Sequence, residues 1–297
     1  MKRSHVLLSL LAASLLTAGF CSAARAATIT VQIIQEVNYP HAEATFLSSI
    51  NDNNEVAGFG HFRQGTDVAS YGFTYLNGHF SPILDDPDGN GLDTEPFGIN
   101  NAGTLCGEYQ GTDGQQHGFF YSDGTYTTYD VPGGTNTQIT GLNNNDDFVC
   151  YIFTQAGYEN IDGTLSQIVI PNGLYVQPNA INDSDQIVGS FAKSHTAGFY
   201  STPDGTLHYP VNAPGASQTS LYGINNRGWM VGYYQVGPVQ QHGLLFIPPR
   251  TFITVDYNGS QAVRLTGINN NGFACGWYLD SAGMAHGILG RIQRSPE

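Results

Sequence analysis

The residues from which this sequence could build a catalyst are carboxylic acids, and the best placed of them sit beside two turn-rich segments. Glu95 and Asp93 lie in one, Glu43 and His41 in the other. Two carboxyl groups about 5 to 9.5 Å apart are what glycosidic hydrolysis needs, one to protonate the leaving oxygen and one to act as base or nucleophile. Just upstream, Asp86-Pro87-Asp88-Gly89-Asn90-Gly91 matches the opening of a calcium loop. There, oxygen ligands alternate and a glycine makes the sharp turn. Such a site would use Asp86, Asp88, Asn90 and Asp93, with Phe97 standing where a bidentate Glu is usual. The same hexapeptide also makes a plain solvated acidic turn. The chain has no G-x-S-x-G, H-E-x-x-H or C-x-x-C, so serine esterase, zinc protease and thiolate-metal chemistry have no motif behind them.

The elements that must hold these groups are copies of one unit. An Ile-Asn pair recurs at Ile50, Ile99, Ile181, Ile224 and Ile268, with Leu142 substituting once, at spacings of 49, 43, 39, 43 and 44 residues. Turn residues cut each copy into four runs: in the second these end in G-I, L-C-G-E-Y, H-G-F-F-Y and Y-T-T-Y-D-V. Aromatic and β-branched residues on short runs bounded by Gly, Asn and Asp argue strands, and no run has helical periodicity. A period of this length with four strands per copy is the signature of a propeller blade. The expected fold is an all-β, six-bladed β-propeller of four-stranded antiparallel blades over residues 27–297. Repeats start near residues 48, 98, 141, 180, 223 and 267. The last copy lacks a fourth strand, so Val31 to Pro40 is expected to dock as the outer strand of the sixth blade, leaving no edge exposed there.

With the first strand innermost, Phe46, Glu95, Gln138, Gln177, Ser220 and Arg264 occupy equivalent positions and alternate with Leu47, Pro96, Ile139, Pro178, Leu221 and Leu265. If the apolar set packs between blades, the other set faces the mouth of a central channel. It makes either a polar ligand site or the wall of a water-filled channel. The long, variable connections emerge at that same end. His117, His242 and His286 each precede a glycine at the start of a third strand, where an imidazole can bond a backbone carbonyl or the neighbouring blade. The repeated asparagines read as turn formers.

Met1 to Ala26 has Lys2, Arg3 and His5, an apolar run from Val6 to Leu16, and Ala24-Arg25-Ala26. That is the pattern of a secretory signal peptide. No later stretch is long and apolar enough for a transmembrane helix. Without those 26 residues, which hold three of the ten basic and none of the 24 acidic side chains, the net charge is near −17. Such a surface repels nucleic acid and anionic membranes. Only 11% of the chain is charged, so the surface is rich in neutral hydrogen-bonding groups, which suit sugars and other uncharged polar ligands. Cys106, Cys150 and Cys275 fall in second strands, as small buried hydrophobes or, for Cys106 and Cys150, as a bridge between adjacent blades.

The repeat resembles the HAF repeat family of extracellular repeat proteins, whose unit reads roughly G-I-N-x-x-G-x-I-V-G followed by H-A-F or H-G-F. The matching pieces are Gly98 to Gly107 with His117-Gly118-Phe119, Gly223 to Gly232 with His242-Gly243-Leu244, and Gly267 to Gly276 with His286-Gly287-Ile288. Copies one, three and four carry Tyr71, Ala156 and Ala197 at the histidine position. The resemblance implies secretion and a repeat fold, and transfers no catalytic residue. Two function classes follow. One is a secreted monomeric binding module for a glycan or other polar extracellular ligand. The other is an extracellular polysaccharide hydrolase or lyase using Glu95, Asp93, Glu43 and His41. No cofactor beyond calcium is implied.

Overall fold

Runs rich in Val, Ile, Thr, Tyr and Phe, interrupted by Gly, Asn and Asp, satisfy their backbone groups by lateral pairing. The computed structural model describes residues 28–153, 156–257 and 259–295; the leader, residues 1–26, lies outside them. Among the described residues there are 24 strands and no helix.

After β1 (Ile29–Val37) the strands group in fours, each an antiparallel meander. The first is β2 (Ala44–Ile50), β3 (Val56–Gln64), β4 (Asp67–Leu76) and β5 (His79–Phe80). The next is β6 (Gly89–Ile99), β7 (Leu105–Gly111), β8 (Gln116–Ser122) and β9 (Thr125–Tyr129). β10 (Thr137–Leu142), β11 (Phe148–Ile152), β12 (Ala156–Ile161) and β13 (Thr164–Ile168) follow. Then come β14 (Leu174–Ile181), β15 (Ile187–Ala192), β16 (Thr196–Ser201) and β17 (Leu207–Val211). The fifth set is β18 (Gln218–Ile224), β19 (Met230–Val236), β20 (Gln240–Ile247) and β21 (Thr251–Val255). β22 (Ala262–Ile268), β23 (Phe273–Leu279) and β24 (Ala285–Arg294) take β1 as their fourth strand, antiparallel from Ile29 opposite Arg294 to Val37 opposite Gly287. Single parallel pairs, Ser70 with Asp93 and Gln241 with Ala262, join neighbouring groups at their ends.

The apolar core lies between successive groups. Phe73, with Leu47 and Val37, packs against Cys275 of the last group. Ala57 packs with Leu105 and Phe119, and Cys106 with Ile139 and Phe148. Val149 meets Phe199, Val188 meets Leu221 and Leu244, and Val231 meets Leu265 and Ile288. Phe73, Phe119, Phe199 and Leu244 fill the position after the third-strand glycine and are fully buried. Each such side chain contributes roughly 1.5–3 kcal/mol of burial.

Second strands approach the first so closely that a side chain is excluded. A Cβ on Gly58, Gly107, Gly189, Gly232 or Gly276 would overlap the carbonyl oxygen of Phe46, Glu95, Gln177, Ser220 or Arg264 respectively. Glycine is therefore a steric requirement here.

The repeated asparagines hold the hairpins. Asn51 Oδ1 accepts the N–H groups of Asn53 and Glu55, and Asn100, Asn143, Asn182, Asn225 and Asn269 repeat the arrangement. This is the side-chain turn for which Asn is favoured. The amides of Asn51, Asn143, Asn182, Asn225 and Asn269 then reach a neighbour: Asn51 donates to the Asn100 carbonyl, and Asn269 donates to the Asn51 carbonyl at 2.9 Å across 218 residues.

Candidate functional site

First strands line a central cavity of about 260 Å³. Their exposed face descends in layers. Phe46, Gln138 and Gln177 stand at the upper level; Ser48, Phe97, Thr140, Asn179, Tyr222 and Thr266 form the next; Ile50, Ile99, Leu142, Ile181, Ile224 and Ile268 form the floor. The alternating residues Leu47, Ile139, Leu221 and Leu265 are fully buried between groups, as strand alternation requires. Beneath the floor lies a smaller polar cavity of about 70 Å³, ringed by the asparagines. Backbone N–H groups pass a circuit of hydrogen bonds around it. Asp52 donates to Asn101, Asn101 to Asn144, Asn144 to Asp183, Asp183 to Asn226, Asn226 to Asn270, and Asn270 back to Asp52.

Of the six equivalent first-strand residues expected at the mouth, Phe46, Gln138 and Gln177 line the cavity, whereas Glu95, Ser220 and Arg264 are not on its wall. Arg264 is drawn aside. Its guanidinium lies 4.2 Å from the Tyr233 ring centre and 4.9 Å from that of Trp277, and its Nε donates to Gln241 at 2.9 Å. Ser220 is 3% exposed.

The second strands supply what sequence reasoning missed. Each mouth residue has a direct cross-strand partner: Phe59 opposite Phe46, Glu108 opposite Glu95, Tyr151 opposite Gln138, Ser190 opposite Gln177, Tyr233 opposite Ser220 and Trp277 opposite Arg264. Phe46 stacks on Phe59 with ring centres 5.1 Å apart and meets Trp277 edge-on at 5.4 Å. Phe59 and Trp277 both reach the cavity wall. The signal was present, since all but Tyr151, which follows Cys150, are the residue after the second-strand glycine.

The acidic candidates separate. On β6, Asp93, Glu95 and Phe97 are partly exposed while Thr94 and Pro96 are buried, so the two acids share the face that continues into the cavity wall at Phe97. Burial raises the Glu95 pKa to about 7; a Ser70 hydrogen bond opposes this and the Asp93 charge adds to it. Glu108 is 6% exposed and its Oε2 has no hydrogen-bond partner. Burial, and then the Glu95 charge, push it to about 8 despite the Gln138 amide. Tyr151 is raised to about 12 by burial and then by Glu108. Glu43 instead pairs with Arg63 through contacts of 2.7 and 3.1 Å on the surface, and His41 is exposed in a left-handed turn. His61 links the two regions: burial lowers its pKa, against the charges of Asp93 and Glu43.

The segment of the calcium pattern folds as local turns. Asp86 Oδ1 accepts the Asp88 N–H and Asn90 Oδ1 accepts the Leu92 N–H, while the Asn90 amide donates to Gln110. Asp86 Oδ1 and Asn90 Oδ1 thus serve local turns while Asp86 Oδ2 is buried without a partner, and among the described residues no three His, Cys, Asp or Glu side chains converge as a cation site. The histidines differ in detail from expectation. His117 Nδ1 bonds Asp130 at 2.8 Å, His242 Nδ1 bonds Asp256 at 2.6 Å, and His286 lies 3.3 Å from Asn38. They therefore tie third strand to fourth through side chains, stacked on Tyr109, Tyr234 and Tyr278. Cys106, Cys150 and Cys275 are buried free thiols, and burial pushes Cys150 and Cys275 up to about 12.

No protein-family model matches the sequence, and no curated protein matches it. Solved structures do. The triple arginine-to-alanine mutant of AofleA from Arthrobotrys oligospora superposes with a TM-score of 0.54 at 9% identity, covering 91% of this chain and 90% of that one. A prolyl endopeptidase superposes with a TM-score of 0.52 at 14% identity, over 86% of this chain and 43% of its own. TolB from Acinetobacter baumannii gives a TM-score of 0.49 at 12% identity, over 85% of this chain and 57% of that one. The chain thus spans little more than half of TolB. Likeness at such identities speaks for the fold alone, an all-β, propeller-like architecture.

Proposed function

We propose that this chain is a secreted six-bladed propeller, akin to the HAF repeat proteins, that binds the terminal sugar ring of a glycan in the mouth of its central cavity. One observation carries the reading: the cavity wall combines the aromatic faces of Phe46, Phe59, Phe97 and Trp277 with the amides of Gln138, Gln177 and Asn179, and bears no carboxylate, lysine, arginine or histidine. Aromatic faces match the apolar C–H face of a sugar, and amides match its hydroxyls; few polar groups set among apolar walls are the usual makeup of a specific small-ligand site. At about 260 Å³ the space falls just short of the roughly 300–1,000 Å³ of drug-sized sites, which suits one ring. The isoleucine floor blocks passage of a longer chain.

A closed wheel of six blades is supported by the grouping of strands in fours, by β1 pairing with β24, and by the return of Asn269 and Asn270 to Asn51 and Asp52. The charge-poor surface and the leader pattern support secretion. No helix among the described residues is long and apolar enough to cross a membrane.

Tryptophan fluorescence tests the site, because the chain has two tryptophans and Trp277 is on the wall. In a Trp229→Phe background, titration with soluble oligosaccharides of several compositions should give a saturable change for at least one. No change with any of them would refute the reading.

A further inference from the structure

The acids above the cavity do not fit a site that only binds. Glu108 places a buried carboxyl oxygen without a partner beside a second carboxyl, Glu95, directly across the β6–β7 ladder. Like charges so placed destabilise a sheet, and an unpartnered buried polar atom costs free energy. A purely structural role would favour an apolar residue at either position.

Glu95 is partly exposed and sits two residues from Asp93 on the face of β6 that runs down to Phe97 on the cavity wall. A strand rises about 3.3 Å per residue and alternate side chains share a face, so the backbone positions of the two acids are about 6.6 Å apart. Inverting glycosidases hold their carboxyls about 6.5–9.5 Å apart to leave room for a water molecule.

We propose that Glu95 and Asp93 are the acid and base of an inverting glycoside hydrolase, releasing one sugar at a time from the end of a neutral glycan. This rests on the saccharide reading above. In the step, the Glu95 proton passes to the glycosidic oxygen as the bond from that oxygen to the anomeric carbon breaks. Asp93 takes a proton from a water whose oxygen forms the new bond to the same carbon. One water is consumed, a free sugar of inverted configuration and a shortened glycan leave, and the proton on Asp93 returns to Glu95 through solvent.

The environments divide the roles, as an acid–base pair requires. Glu95 is held near neutrality by burial and by Asp93 and opposed by Ser70, while Glu108 faces it from β7 and Gln138 acts on Glu108 from β10. His61 on β3 is the neighbouring imidazole, and its pKa is lowered by burial. Glu43 takes no part, being paired with Arg63.

The test uses the full chain with p-nitrophenyl glycosides and with laminarin, galactomannan, xylan and dextran, following p-nitrophenol, reducing ends and the anomer formed. Turnover with inversion is expected. Glu95→Gln and Asp93→Asn should each lower kcat by about a thousandfold while the Trp277 fluorescence response to ligand persists. Binding without products overturns this inference and leaves the binding reading standing. Absence of both binding and products overturns the two together. Turnover unaffected by Glu95→Gln overturns the assignment.

Discussion

Glu95 and Glu108 occupy one rung of the β6–β7 ladder, directly opposite each other on the strands that lead to Phe97 on the cavity wall. Burial is the main cause of the raised pKa of both. Glu95 is raised to about 7 chiefly by burial, and Glu108 to about 8 by burial and then by the Glu95 charge. The protons belong to the pair, which titrates in two linked steps.

Stability should therefore fall with rising pH on account of this pair. Unfolded glutamates titrate near 4.3, so between about pH 4.5 and 8 the folded chain binds more protons than the unfolded one, and raising the pH favours unfolding. Glu108→Gln should raise Tm at pH 9 and change it less at pH 4. Thermal unfolding of both proteins across that range checks this; an equal shift at both ends would contradict it.

Asn269 should matter well beyond its size. At 2% exposure it donates to Asn51 and Asn54 and accepts from Asn271 and Phe273. Asn269→Ala leaves several buried groups unpaired where the last strands meet the first, and is expected to cost about 2–4 kcal/mol. Asn53→Ala, at an exposed position, should cost about 0.5 kcal/mol or less. Urea unfolding of the two variants separates them.

Gly107→Ala should be among the most damaging small substitutions in the chain. The new Cβ would overlap the Glu95 carbonyl and stand 2.8 Å from Pro96 Cα, both backbone atoms that cannot step aside. A loss of about 3 kcal/mol is expected. Gly124→Ala, where a Cβ would meet nothing within 4 Å but φ is +82°, should cost about 1 kcal/mol, reflecting backbone strain alone.

His117 should titrate above the ordinary imidazole value. Burial opposes its charge, but hydrogen bonds to Asp130 and Asp113 and their negative charges outweigh that. Its contribution to stability is then fully present below about pH 6.5 and is lost as pH rises through the raised folded value. Proton NMR titration of His117 should show the elevated value in the native protein and a lower one in Asp130→Asn.

Much of this architecture was legible in the sequence. The Ile-Asn spacing marks every first strand, and strand alternation separates Leu47 and Ile139 from Phe46 and Gln138 as the structure does. What escaped was register. Each first strand carries a bulge, between Leu47 and Ser49 or Pro96 and Gly98 for example, and a shift of one residue decides which second-strand side chain faces the mouth. Glu108 and Trp277 were hidden for that reason. Arg264 was misplaced because its long side chain prefers the Tyr233 and Trp277 rings to the open cavity. The Asp86 to Gly91 pattern was ambiguous in the sequence because Asp and Asn supply turn-capping oxygens as readily as metal ligands.

Titration calorimetry of the full chain with a saccharide that perturbs Trp277 fluorescence bears most directly on the central claim. One ligand should bind per chain, and Trp277→Ala and Phe46→Ala should each weaken binding at least about tenfold, the loss expected when an aromatic contact of about 1.5 kcal/mol is removed. Several ligands per chain, or binding untouched by either substitution, would place recognition on the periphery and contradict the cavity site.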